Sequence, residues 1–193
     1  MGESKFPGPR LYLRNQLVAI ELSAVDRHHP IVETAVRTLL WSTETDTQVF
    51  AMRWAHSAAI GNAFVALHGD LGAGKTTLVR HLLKALGVQG RVKSPTYAVV
   101  EPYELPAMNV WHFDFYRFTD PREWEDAGFR DIFASQGLKL AEWPEKAAPL
   151  LPQPDLEITL QTQTDNQRHV TLCAHTPIGL ALLNAVGAVD TTP

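Results

Sequence analysis

Cysteine is almost missing from this sequence. Cys173 is the one instance in 193 residues, which rules out an intramolecular disulfide and leaves no cysteine cluster of the zinc-binding kind. A reducing compartment suits such a chain. Long hydrophobic runs are missing as well. The longest near the amino end, Leu17 to Leu22, carries Glu21 and is followed by no small-residue cleavage site, and it is far shorter than the roughly 20 residues a bilayer needs. A cytoplasmic location and no membrane contact are therefore expected. There is no surplus of positive charge either: 17 Lys and Arg against 21 Asp and Glu give a net charge of -4. No direct DNA binding is expected, and any nucleic acid would be met locally or through a partner. Internal repeats and low-complexity tracts are absent.

What is present suffices for one core, with 45% hydrophobic and 20% charged residues. Residues 1–38 scatter Pro, His and charge without periodicity, and are expected to form an extension that is poorly ordered or loosely docked. A single domain is expected over 39–176, followed by a tail, 177–193, with a short helix in "PIGLALLNAV". "RTLLW" reads as a strand. Thr45 stands three residues before Gln48, the spacing of a capping box, and Val49, Met52, Ala55 and Ala59 recur at helical spacing, so a helix is expected to about Ile60.

"AFVALH" reads as a buried parallel strand, and "TTLVRHLLKALG" as a helix burying Leu78, Leu82, Leu83 and Leu86 and closed by Gly87. Further strands are expected in "TYAVVEPY", "NVWHFDFY", "LKLAEW", "DLEITLQ" and "HVTLCAH", the last two as an antiparallel addition. "DPREWEDAGFRDIFASQG" reads as two short helices, with Asp120 as the first cap, Pro121 at the first helical position and Gly128 as the break. Strands interleaved with helices define an α/β fold, a central, mostly parallel sheet flanked by helices with antiparallel additions.

Between the strand "AFVALH" and its helix, Gly69-Asp70-Leu71-Gly72-Ala73-Gly74-Lys75-Thr76, followed by Thr77, fits the phosphate-cradling pattern of a P-loop nucleoside triphosphatase in the required strand-to-helix context. The glycines let backbone N–H groups curl round phosphates at the positive end of the helix dipole. Lys75 is expected to reach the β and γ phosphates, and the Thr76 hydroxyl to ligate magnesium. Asp70, an acid in an anion cradle, must point outward or hold a neighbouring loop.

A cradle grips nucleotide, and turnover asks for a carboxylate at the end of a nearby strand. "HFDFYR" offers Asp114 and "LKLAEWPE" offers Glu142. Ser94, Pro95 and Thr96 form a polar turn where P-loop proteins carry a nucleotide-sensing switch. Trp143 is either a nucleotide neighbour or a packing aromatic. Two rivals remain open. A small-molecule kinase would close arginines over the phosphates, and Arg117, Arg122 and Arg130 are the available ones. A nucleotide-dependent sensor without hydrolysis would need Lys75 but neither acid. No Asn is followed by Lys, so the Asn-Lys-x-Asp guanine signature is missing and adenine is the expected base. His28-His29, His68 and His112 read as structural or solvated, not as a metal centre.

Taken in order, "GDLGAGKTT", "SPTY…EPY", "HFDFYR" and "EWPE" resemble the TsaE family, the ATPase subunit of bacterial tRNA threonylcarbamoyladenosine biosynthesis, over about Thr38 to His175. The resemblance implies a P-loop ATPase that uses ATP and Mg2+, turns over slowly alone, and works with a TsaB–TsaD-type complex, meeting tRNA only through it. It further implies that Lys75 and Thr76 hold phosphate and magnesium, that Thr96 is the switch hydroxyl, that Asp114 is the acid needed for hydrolysis, and that Glu142 is the magnesium-associated acid. Ala141 departs from the larger aliphatic residue common in the family.

Overall fold

The apolar runs become the strands of one seven-stranded sheet in the computed structural model, which describes residues 35–187. The Leu17–Leu22 run, the His28–His29 pair and most of the expected extension lie outside the described residues. The strands are β1 (Ala35–Trp41), β2 (Phe64–His68), β3 (Val100–Glu104), β4 (Asn109–Asp114), β5 (Leu138–Glu142), β6 (Leu156–Thr162) and β7 (Arg168–Ala174). Their order across the sheet is β1-β7-β6-β2-β5-β4-β3. The central strands β6, β2, β5 and β4 are parallel, while β7, β1 and β3 are antiparallel to their neighbours. The expected α/β sheet with antiparallel additions is therefore observed.

One strand direction differs from the sequence expectation. β6 is not antiparallel: it runs parallel to β2, with Leu156 opposite Val65, and only β7 reverses. The reason is a crossover. The chain leaves β5 through a 3-10 turn at Pro144–Lys146 and returns to the starting end of β2, where Asp155 clamps it. Phe64 N–H donates to Asp155 Oδ2 at 2.8 Å, and Asp155 N–H donates to Phe64 O at 2.9 Å.

Among the described residues five helices cover the sheet: α1 (Glu44–Ala55), α2 (Lys75–Ala85), α3 (Pro121–Asp126), α4 (Phe129–Ala134) and α5 (Pro177–Ala185). Every β2 residue from Phe64 to Leu67 is buried, as expected for a continuous apolar strand covered on both faces. On one face Trp54, Leu78, Leu82, Leu83, Leu156 and Ile158 build the larger core. On the other, Phe64, Phe113, Phe115, Trp124 and Phe129 build a mainly aromatic one. The helix expected in "PIGLALLNAV" belongs to the larger core: Leu182 and Leu183 are buried, and Trp54 Nε1–H donates to Leu182 O at 3.1 Å.

α1 starts and faces differently from the expectation. Its cap is Thr43, not Thr45, and the box closes on Asp46, whose Oδ2 accepts from Thr43 N–H at 2.8 Å. It ends at Ala55, and a separate 3-10 turn spans Ala58–Asn62. The buried stripe is Thr47, Phe50, Ala51 and Trp54, whereas Val49 and Met52 are 44% and 46% exposed. The i, i+3, i+4, i+7 stripe that carries the two aromatics buries more apolar area than the competing stripe, and so it faces the sheet. The "TYAVVEPY" strand is also shorter than expected. Thr96–Ala98 form a turn, Val99 takes a positive φ of 64°, and β3 begins at Val100. By contrast, Asp120 caps α3 by accepting from Arg122 N–H at 2.9 Å, and Gly128 separates α3 from α4 as expected.

The Thr43 box supports a stability prediction. Backbone hydrogen bonding from Thr43, helped by Ser42 N–H and the Thr43 hydroxyl, pulls the Asp46 carboxyl below its ordinary value of 3.8 against the opposing effect of burial. A depressed folded pKa stabilises above the unfolded value and is lost as pH falls through the folded one. Asp46→Ala is expected to destabilise the fold by about 1 kcal/mol at pH 7, and denaturant titrations should show the gap between variant and parent closing as pH drops below 3.8.

Candidate functional site

The site is assembled where the central parallel strands end. The register sets Asp114, the last residue of β4, opposite Glu142, the last of β5, and Glu142 opposite Leu67 of β2. The chain leaving β2 turns through Gly69–Gly74 and enters α2 at Lys75. Two glycines in that loop are required by geometry. Gly69 has φ +136°, and a Cβ there would lie 2.4 Å from Leu160 O; Gly74 has φ +111° and directly precedes the helix. An L side chain at either position meets backbone strain, and at Gly69 a collision as well.

Lys75 is 4% exposed. Its Nζ donates to the carbonyls of Gly69 and, at 3.0 Å, of Asp70, and it lies 3.9 Å from the centre of the Trp143 ring. The ammonium is thus folded across the mouth of its own loop on an aromatic face. Burial pushes the Lys75 pKa down, while Glu142, then Glu145, Asp114 and Asp70, push it back up. Asp70 itself is exposed. Arg168 of β7 braces the loop from behind, donating from Nε to Ala73 O at 3.3 Å.

The two acids are buried and carry separate networks. Glu142, 2% exposed, accepts from the Thr76 hydroxyl through both carboxylate oxygens at 2.9 Å. Its Oε1 also lies 2.8 Å from His112 Nε2. A carboxylate only accepts, so His112 carries its proton on Nε2 and donates. Asp114, 3% exposed, accepts through Oδ2 from the hydroxyls of Ser94 and Thr96, the latter at 2.9 Å, and through Oδ1 from Tyr116 N–H at 2.9 Å. Thr96 therefore reaches Asp114, and not the Thr76–Glu142 pair. Trp143 follows Glu142 with a positive φ of 57° and packs against Tyr116 at 5.0 Å between ring centres. A non-glycine residue in that region is held there by its surroundings, and such strain concentrates at functional sites.

These groups line an open cleft of about 320 Å3, whose lining includes Leu71, Gly72, Gly74, Lys75, Thr76, Thr77, Thr96, Asp114, Glu142 and Trp143. Every position selected from the sequence is thus either in the lining or, for Gly69, Asp70 and Ala73, in the loop that shapes it. Ala73 is buried in the core beneath. Ser94, Tyr116 and His112 were not selected, although Ser94 sits in the turn already noted and His112 lies two residues before Asp114 on one strand face. The arginines of a closing lid are not over the cavity. Arg122 pairs with Asp120 at 2.7 Å on the surface, Arg130 is exposed, and Arg117 lies on the exposed Tyr97 ring at 4.4 Å.

The half-buried hydroxyls of Thr76 and Thr96 and the buried carboxylates of Asp114 and Glu142 are hard oxygen donors, the set that suits magnesium. A glycine-shaped loop at a helix amino end, with a cation folded into it, suits a polyphosphate. Both groups fit the residues present.

Comparison with known proteins agrees with this geometry. The family described as "Threonylcarbamoyl adenosine biosynthesis protein TsaE" matches residues 41–170. The tRNA threonylcarbamoyladenosine biosynthesis protein TsaE of Haemophilus influenzae is 45% identical over 121 residues, 63% of this chain and 76% of that protein. The Bacillus subtilis protein of the same name is 35% identical over 141 residues, 72% of this chain and 87% of that protein. Among solved structures, Bacillus subtilis YdiB superposes with a TM-score of 0.64 at 25% identity, covering 79% of this chain and 95% of its own.

Proposed function

This chain belongs to the TsaE family of threonylcarbamoyl adenosine biosynthesis proteins, and on that premise we propose that it is a magnesium-dependent ATPase that supports the tRNA modification by binding and resetting a TsaB–TsaD-type complex in the cytoplasm. The observation that carries the reading is the Thr76 hydroxyl held by both oxygens of Glu142 at 2.9 Å, directly beside Lys75 in the cradle. It ties the phosphate loop to a strand-end acid across a sequence separation of 66 residues.

In this reading, loop amides from Gly69 to Lys75 and the Lys75 ammonium bind and orient the β and γ phosphates of ATP. Thr76 and Glu142 would hold Mg2+, which neutralises charge building up on the phosphates. Asp114 orients the attacking water or takes its proton, and the Ser94 and Thr96 hydroxyls fix its carboxylate in place. Trp143 and Tyr116 form an aromatic wall that keeps bulk water from the loop. The same Ser94 and Thr96 bonds couple the acid to the "SPTY" turn, so nucleotide state and the conformation of that turn are linked. Tyr97, 84% exposed in that turn, carries the change to the surface that meets the partner complex. The kinase reading is disfavoured by the positions of Arg117, Arg122 and Arg130 described above.

The test is reconstitution of the modification with the TsaB–TsaD-type pair, tRNA and ATP. The modified product is expected to accumulate beyond one equivalent of complex only when this chain and hydrolysable ATP are both present. Repeated product formation without the chain would remove the proposed role, and phosphate transferred to a small acceptor would support a kinase instead.

A further inference from the structure

At the other end of the sheet, three side chains of different chemistry converge with no role in the cleft. Glu157 of β6 and Cys173 of β7 are direct register partners, so their side chains share one face of the sheet. His175 lies two residues beyond Cys173 and projects to that same face. It is fixed there by its N–H, which donates to Asp155 O at 2.9 Å. One ligand atom from each of Glu157, Cys173 and His175 lies within 4.8 Å of the others.

We propose that Glu157, Cys173 and His175 form a binding site for a divalent transition-metal ion, with Zn2+ the best match. Thiolate, imidazole and carboxylate together are a borderline-soft donor set that selects zinc over magnesium or calcium. The spacing also fits. His175 Nε2 and Glu157 Oε2 are 3.3 Å apart, and two ligands on a tetrahedral zinc with N and O bonds near 2.0–2.1 Å stand roughly 3.3 Å apart. His175 Nε2 is nonetheless buried without a hydrogen-bond partner. The imidazole and carboxylate thus stand at ion-pair distance without a hydrogen bond between them, and a shared metal cation would satisfy both. The Cys173 sulfur lies within 4.8 Å of both, and a bound metal would draw it in by rotation about its Cα–Cβ bond. Three protein ligands leave one tetrahedral position for water, and the Glu157 side chain, 37% exposed, keeps the site open to entering metal.

The site is independent of the nucleotide cleft. Glu157 pairs with Ala66, the middle residue of β2, three residues from Gly69, which is about 10 Å along a strand. The experiment uses the full-length chain, stripped with chelator and titrated first with Co2+ and then with Zn2+. One equivalent of Co2+ is expected to give a thiolate-to-cobalt charge-transfer band and the intense visible bands of four-coordinate cobalt, and Zn2+ to displace it. Cys173→Ser should abolish the charge-transfer band, and His175→Gln should weaken Zn2+ binding at least tenfold, both with magnesium-dependent ATP hydrolysis and circular dichroism unchanged. Absence of the charge-transfer band in the parent chain overturns the proposal. So does Zn2+ binding of equal affinity in the parent and in the chain carrying both Cys173→Ser and His175→Gln, which would place the metal elsewhere.

Discussion

Glu142→Gln is expected to lower the rate of ATP hydrolysis roughly 100-fold or more, while ATP affinity changes by less than about tenfold. The substitution isolates charge from shape. With its carbonyl at the Oε1 position, the amide still accepts from His112 Nε2 and from the Thr76 hydroxyl, and its NH2 faces the Thr76 oxygen, as the present 2.8 and 2.9 Å contacts allow. The network survives and the fold with it. What is lost is the negative charge beside Thr76, which on the proposed reading would hold a hard cation where phosphate charge develops. Phosphate release under saturating ATP and nucleotide affinity by titration separate the two effects. Parent-like turnover would remove Glu142 from the reaction.

Lys75→Ala is expected to weaken ATP binding by two orders of magnitude or more, in line with the roughly 2–5 kcal/mol that truncating one partner of a buried charge pair costs. The ammonium is the loop's only cationic side chain, it is buried, and its hydrogen bonds go to the Gly69 and Asp70 carbonyls on the loop itself. In the proposed reading, bound phosphate would replace those carbonyls as its partner. Burial lowers its pKa and the surrounding acids raise it again, so the anion of the ligand adds to an attraction the site already supplies.

Local chemistry made much of this structure legible in the sequence. The cradle was readable because a fixed spacing of glycines before Lys75 and Thr76 has few other uses between a strand and a helix. The α3–α4 break was readable because Asp120, Pro121 and Gly128 each act on their own backbone. Asp114 and Glu142 were selected as strand-end acids, and parallel pairing of β4 with β5 sets them side by side.

Features decided by distant partners were not legible. Whether β6 ran parallel depended on Asp155 finding Phe64 across 91 residues. The face of α1 depended on which stripe the sheet would accept, and Phe50 with Trp54 outweighed Val49 with Met52. His112 looked like any strand histidine, because its partner Glu142 is 30 residues away. Ser94 was indistinguishable from an ordinary turn serine until Asp114, 20 residues later, was placed against it.

The central claim is that one cleft binds ATP through Lys75 and hydrolyses it through Glu142. The most direct measurement takes ATP dissociation constants and steady-state phosphate release on matched preparations of the parent, Lys75→Ala and Glu142→Gln, with Mg2+ present and the partner complex added. The account predicts that Lys75→Ala loses binding, whereas Glu142→Gln keeps binding and loses release. Loss of binding in both variants, or release at the parent rate in Glu142→Gln, would contradict it.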